Sequence, residues 1–328
     1  MSENYSDVVV DNVIGQIIGT RYVNEAKLIA AGLVENQGVV TQGTADEWIR
    51  ETLFQGSSSG QVVSVGSEFS LKGRSQEKYQ VPKFWRGDAV AIDPIFDEIS
   101  SKAARDMETQ IGEAVSKAAG QNLNAAMIAI LNGFGAWAKA NSENYVADKS
   151  SQISFPSLQE AKATRGDQGM FDSGVIAARS PEIHKLYATA QVAATSNTAG
   201  AQAQDSVIST GNYVNGTVLG MTLLMDDAIA LDSDDSLPFV YLMDRGAFGA
   251  KFAPQPKVIT GIKDARMLGE VTQYYFSAAA GIKGMSYSGT INDKVSNTDL
   301  ATGTNWALAA TDAKFVPVAV LAVNTTSF

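Results

Sequence analysis

The sequence predicts a mixed α+β fold in which one long helix is flanked by β-rich segments. Three observations lead there. Apolar residues recur at helical spacing between Ile95 and Leu131. The stretch 61–92 has β-branched and aromatic ends around a polar centre, as a long hairpin has. From 213 onward, short apolar runs alternate with turn residues.

The chain has 328 residues, enough for one large or two moderate domains. Hydrophobic residues make up 45%, ordinary for a folded protein, but charged residues only 18%, which suits a surface largely covered by neighbours. The net charge is −10, and neither end carries a Lys/Arg-rich arm. Strong binding to nucleic acid through phosphate neutralisation requires the opposite balance. With no cysteine, disulfides and thiolate metal sites are excluded. The start, Met1-Ser2-Glu3-Asn4-Tyr5, lacks the basic and apolar regions of a signal peptide. The longest apolar runs, such as Phe315 to Val323, are far shorter than the ~20 residues a membrane helix needs. The expectation is a soluble protein made in the cytoplasm.

Taken in order, residues 1–40 carry Val8-Val9-Val10, Val13, Ile14, Ile17 and Ile18, a helix or mixed extended arm interrupted by Gly15, Gly19 and Gly32. Thr44 and Glu47 form a capping-box pattern ahead of Trp48, Ile49, Leu53 and Phe54, which predicts a short amphipathic helix over 45–54. Gly56-Ser57-Ser58-Ser59-Gly60 ends it in a turn. The hairpin pairs Gln61–Val65 with Glu77–Trp85 around a solvated tip, and Pro82 argues for an edge strand. Asp93 and Pro94 suit the start of a helix, with Asp97 and Glu98 in its first turn.

Ile95, Ile99, Ala103, Met107, Ile111, Val115 and Ala118 then line one stripe, followed by Ala126, Ile130 and Leu131, with Gly133 and Gly135 as stops. Steps of four residues advance about 40° beyond a full turn, so this stripe winds about 200° by Val115. Either its ends face different neighbours or the helix breaks near Gly112 or Gly120. Residues 136–172 read as irregular, Gly174–Ala178 as a buried strand, Pro181 to about Thr195 as a helix, and 196–212 as a loop. Further apolar runs cover Thr217–Met225, Phe239–Met243, Val258–Gly261, Val271–Phe276 and Phe315–Val323.

Little in the chain points to catalysis. His184 is the single histidine, at the start of a predicted helix, and reads as a surface or packing residue. There is no G-x-S-x-G or Walker-type loop. The acidic stretches Asp226-Asp227 and Asp232-Ser233-Asp234-Asp235 lack the glycine and distal glutamate of a calcium loop. Trp48, Trp85, Trp137 and Trp306 are accounted for by core packing. No catalytic, cofactor or metal residues are expected. The one cluster worth a partner is basic: Lys72, Arg74, Lys78, Lys83 and Arg86, placed to meet an acidic face of a neighbouring subunit.

The order of these elements resembles the Hong Kong 97-type capsid fold of tailed-bacteriophage major capsid proteins. Local stretches are similar too: Ile130-Leu131-Asn132-Gly133 at the end of the long helix, Val175-Ile176-Ala177-Ala178 feeding Ile183–Tyr187, Leu219 to Asp227, and Tyr241 to Phe248. The resemblance spans about 60 to 285. It implies an N-terminal arm over 1–60 with the short helix, an extended loop over 61–92, a peripheral domain with its spine helix over 93–150, an axial domain over 151–285, and a C-terminal β segment over 286–328 returning to the core. It further implies a structural role without enzymatic activity: capsomers of five and six copies closing an icosahedral shell around double-stranded DNA that is packaged without specific binding. The location implied is the virion, assembled in the host cytoplasm, with separate scaffolding, portal and decoration proteins as further partners and no membrane. The chain shows none of the cleaved helical leader of some family members, so scaffolding is expected from a separate protein or already removed. An encapsulin-type nanocompartment shell is the alternative within this fold, and a small-molecule enzyme or binding protein the alternative outside it. Deleting 68–79 is expected to leave a soluble subunit that forms no stable shell.

Overall fold

In the computed structural model the described residues are 25–42, 46–53, 75–92, 104–148, 153–166, 174–186, 214–218, 221–232, 237–253, 257–263, 270–291 and 295–323. In chain order the elements are α1 (Lys27–Ala30), β1 (Val34–Val39), β2 (Asp46–Leu53), β3 (Ser75–Ile92), α2 (Ala104–Asn141), β4 (Tyr145–Asp148), α3 (Phe155–Ala163), β5 (Val175–Ala178), β6 (Val214–Val218), β7 (Met221–Met225), β8 (Phe239–Met243), β9 (Phe248–Phe252), β10 (Lys257–Lys263), β11 (Glu270–Ile282), β12 (Met285–Tyr287), α4 (Asn297–Ala301), β13 (Trp306–Leu308) and β14 (Val318–Val323). Residues 180–186 add a helical stretch between β5 and β6. The fold is mixed α+β.

The central helix α2 runs unbroken for 38 residues, about 57 Å at 1.5 Å per residue. Val115, Ala119, Leu123, Ala126, Met127, Ile130, Leu131, Phe134 and Ala138 are buried at spacings of three and four. All six residues from Ala126 to Leu131 are buried, so this stretch passes through the core. The helix breaks at neither Gly112 nor Gly120, and different parts of it meet different neighbours. Asn122 donates to the Tyr274 hydroxyl of β11 at 3.2 Å, whereas Gly133 lies against Leu300 and Trp306. Asp93 and Pro94, read as its start, lie outside the described residues.

Gly133 and Gly135 do not stop the helix. A Cβ on Gly133 would sit 2.2 Å from the Leu300 carbonyl oxygen and 2.6 Å from Trp306 Nε1, and one on Gly135 would sit 2.5 Å from the Tyr241 hydroxyl. The glycines let other elements press against the helix, a demand that local sequence does not reveal. The helix ends at Asn141, where Ser142 and Asn144 adopt left-handed φ values of 55° and 50°. The buried Asn144 side chain donates to the carbonyls of Ala313 (2.7 Å) and Val318 (3.1 Å). Asn144→Ala puts a Cβ-bearing residue without a local hydrogen bond in the left-handed region and orphans buried acceptors, so we expect a loss of about 2 kcal/mol. An unchanged denaturation midpoint would refute this.

Two six-stranded sheets flank the helix. The second has the order β4-β14-β8-β5-β7-β6. One face packs into the core around α2 through Val175, Ala177, Tyr241, Met243, Val318 and Val320. Its other face, with Ile176, Val240, Leu242, Ala319 and Leu321, is covered by Leu158 and Ala161 of α3 and by Ile183 and Leu186. Burial on both faces explains why β5, β8 and β14 read as continuous apolar runs. The predicted run 217–225 divides into β6 and β7, an antiparallel pair. The described part of 136–172 is not irregular: it holds the end of α2, β4, and α3. Ser154 caps α3 in a reciprocal capping box with Ser157 instead of an acidic residue.

The first sheet has the order β1-β9-β11-β3-β2, with β10 also paired to β11. Phe84, Tyr274, Phe276, Ala278 and Ala280 put one face into the core around α2. Residues 46–53 are not the expected helix. They form β2, antiparallel to the first half of β3, with Glu47 and Ile49 buried and Trp48 exposed in strand alternation. Glu47 is taken up by Thr41 and Lys251 instead of capping a helix. The hairpin therefore pairs 46–53 with 75–82, and the predicted strand 61–65 lies outside the described residues. Pro82 stands where the ladder partner of β3 changes: 75–82 pair with β2, and 83–92 pair with β11. A residue without an N–H is tolerated at such a changeover.

Candidate assembly surface

β3 has 18 residues and reaches about 60 Å at ~3.3 Å per residue, and its first half, which pairs with β2 beyond the stretch paired with β11, forms a two-stranded shaft. The root of that shaft is a small core of its own: Val40, Ile49, Tyr79, Val81 and Ala279. Two glycines make the fit possible. A Cβ on Gly281 would lie 2.3 Å from Val81 Cγ1, and one on Gly249 would lie 3.0 Å from Ile49 Cβ. Tyr79 is buried in this root, so the deletion 68–79 would remove core as well as loop. A test of the loop alone has to leave Tyr79 in place.

A polar network fixes the root from the side. The Glu47 carboxylate, 3% exposed, accepts from the Thr41 backbone N–H, from Thr41 Oγ1 at 3.3 Å and from Lys251 Nζ at 2.8 Å. Lys83 Nζ donates to the Thr41 carbonyl at 2.8 Å. Burial alone would push the Glu47 carboxyl up, but the hydrogen bonds from Lys251 and Thr41 outweigh it and hold the group below its ordinary value.

The structure separates the basic cluster. Lys72 and Arg74 lie outside the described residues. Lys78 is exposed on the shaft, opposite Arg50 in the ladder. Lys83 is buried, 3% exposed, and its ammonium also lies 4.9 Å from the centre of the Trp85 ring. Arg86 donates to the carbonyls of Trp85 (2.8 Å) and Val295 (3.0 Å) and to Asn297 Oδ1 (2.5 Å), which ties β3 to the start of α4. Within the subunit, then, Lys83 and Arg86 act as internal fastenings, and Lys78 is the described member that faces outward.

The other candidates serve the fold as well. His184 is exposed. Asp226 pairs with Lys27 at 3.3 Å and accepts from Asn124 at 2.8 Å, which fastens α1 to α2. Asp227 accepts from the N–H (2.8 Å) and hydroxyl (3.0 Å) of Ser180, bonds that hold its carboxyl below the usual range. Asp232 pairs with Lys139. Trp137 and Trp306 are buried, but Trp48 and Trp85 are 48% and 42% exposed. Trp85 lies 6.5 Å from Tyr275, itself 36% exposed, on the face of the first sheet away from α2. Sequence reasoning assigned Glu47 to a helix cap, and missed Gly281 and the exposure of Trp48. The signal for the last was strand parity, which becomes readable once 46–53 is taken as a strand.

No protein-family model matches the chain, and no curated protein matches it. Among solved structures it is similar to a chain of the cyanophage Pam1 capsid, at 13% identity and a TM-score of 0.51, over 94% of this chain and 94% of that one. It is also similar to a chain from the capsid of an empty gene-transfer-agent (GTA) particle, at 13% identity and a TM-score of 0.52, over 92% of this chain and 90% of that one. The chain thus has a capsid-subunit fold along nearly its whole length, of the kind found in a phage and in a gene-transfer-agent particle.

Proposed function

We propose that this protein is a major capsid protein of the tailed-phage type. It assembles through pentamers and hexamers into an icosahedral shell that encloses double-stranded DNA, as part of a virion put together in the host cytoplasm. The observation that carries this reading is the fold likeness to two capsid chains over more than nine-tenths of the sequence. A long shaft fixed at its root supports it, because closed shells need large, repeated, directional interfaces between identical copies. The net charge of −10 suits a container filled by a motor better than one that condenses its genome electrostatically.

On this reading, the hairpin of β2 and β3 is the extended loop, α2 with the first sheet forms the peripheral domain, and the second sheet with α3 forms the axial domain. Lys78, with Lys72 and Arg74, meets a neighbouring copy, while Lys83 and Arg86 hold the loop at its base. Scaffolding, portal and decoration proteins are the further partners.

Expressed alone or with its neighbouring genes, the chain is expected to give closed particles or rings of five and six copies in electron microscopy and size-exclusion light scattering. Removing 56–73, which spares Tyr79 and the paired strands, should leave a folded subunit that forms neither. A chain that stays monomeric under every such condition would overturn the reading.

A further inference from the structure

Among the described residues, two buried side-chain polar atoms have no hydrogen-bond partner, and they lie three residues apart: Arg179 Nε and Glu182 Oε2. They stand where β5 passes into the helical stretch 180–186. That stretch is fastened to the face of the second sheet away from α2 in two ways. Ile183 and Leu186 are buried with Ile176, Val240 and Leu242. The N–H and hydroxyl of Ser180 donate to Asp227 at 2.8 and 3.0 Å.

Glu182 lies between these fastenings and is 1% exposed. Its carboxylate accepts from its own backbone N–H, but Oε2 accepts from nothing. The charged groups around it are Arg179 and Lys185 on the same stretch and Asp227 on the loop after β7. Neither cation donates to Oε2, and Asp227 has the wrong sign. A buried carboxylate short of donors is costly, whereas a neutral carboxyl gives up far less hydration. Burial therefore pushes the Glu182 carboxyl above its ordinary 4.5, against the pull of its own N–H, Arg179 and Lys185, and Asp227 adds to the rise. Glu47 is equally buried but is met by Thr41 and Lys251, and it shifts the other way.

We propose that Glu182 makes the helical stretch 180–186 a proton-dependent clasp on the second sheet, closed while the buried carboxyl is neutral and loosened when it ionises. One proton then decides how firmly the chain that follows β5 is anchored. The clasp belongs to the single subunit, so it stands independently of the shell reading.

The test compares full-length wild type with Glu182→Gln, which keeps the shape and cannot ionise. A carboxyl that protonates more readily in the folded chain than in the unfolded one costs stability while ionised, and the cost disappears as the pH falls below 4.5. At pH 8, Glu182→Gln should melt about 2–4 °C above wild type. Hydrogen exchange over 180–186 should be at least about threefold slower in the variant at that pH. Both gaps should close by about pH 4. The Glu182 carboxyl carbon of wild type, followed by NMR, should titrate above 4.5, a readout that needs no substitution to fold. The clasp is overturned by a variant no more stable or protected than wild type at pH 8, by a gap that is the same at pH 8 and pH 4, or by a Glu182 carboxyl that titrates at or below 4.5.

Discussion

Gly133→Ala should lower the stability of the subunit by about 3 kcal/mol, despite placing a better helix former in the middle of a helix. In a solvated helix the change would be worth about 1 kcal/mol in favour of alanine. Here the new Cβ would stand 2.2 Å from the Leu300 carbonyl oxygen and 2.6 Å from Trp306 Nε1. Neither atom can turn aside. Trp306 Nε1 donates to that same Leu300 carbonyl at 2.8 Å, in a buried hydrogen bond that ties β13 to α4. Relieving the overlap means moving α4 as a body, and overpacking of that kind costs about 1–3 kcal/mol or more before the lost hydrogen bond is counted. A fall in melting temperature of roughly 5 °C is expected for a chain of this size. Gly133→Ala as stable as wild type would mean that the close contact between α2 and α4 is wrong.

That glycine also shows where the sequence was readable. The stripe of apolar residues announces α2, and continuous apolar runs announce β5, β8 and β14, because in each case the signal lies within the element. The end of α2 was misplaced because Gly133 and Gly135 look like local stops, whereas their reason lies in Leu300, Trp306 and Tyr241, far along the chain. The reading of 46–53 as a helix failed in the same way. Thr44 and Glu47 have capping-box spacing, but the partners of Glu47 are Thr41 and Lys251, and the second is brought in only by β9. The basic cluster was visible as composition, but its division depends on contacts made far along the chain. Lys83 reaches the Thr41 carbonyl and Arg86 the Val295 carbonyl and Asn297, whereas Lys78 stands exposed on β3.

The network at Glu47 should make the root of the shaft sensitive to acid. Glu47 is buried, and its carboxylate is held by Lys251 at 2.8 Å and by Thr41, while Lys83 binds the Thr41 carbonyl from the other side. Glu47→Gln keeps the shape and removes the charge. It weakens charge-assisted hydrogen bonds and leaves the Lys251 ammonium without its carboxylate; we expect about 2–3 kcal/mol lost at pH 7. The pH dependence has a definite sign. Because the folded-state pKa lies below the ordinary value of 4.5, ionised Glu47 contributes its stability above about pH 4.5, and that contribution disappears as the pH falls through the lowered value. Denaturation of wild type and Glu47→Gln should therefore differ fully at pH 7, and the gap should narrow below about pH 4, since acid leaves both proteins with a neutral group at this position. Comparing the two proteins at each pH cancels the general effect of acid on the remaining carboxylates. Hydrogen exchange over 46–53 should quicken in the variant at pH 7 while α2 stays protected, because the network holds the shaft and not the central helix. A gap that is the same at pH 7 and pH 3.5 would show that the charge on Glu47 does not hold the root. The orientation of the shaft would then rest on the apolar contacts of Ile49, Tyr79 and Val81 with Gly249, Ala279 and Gly281 alone.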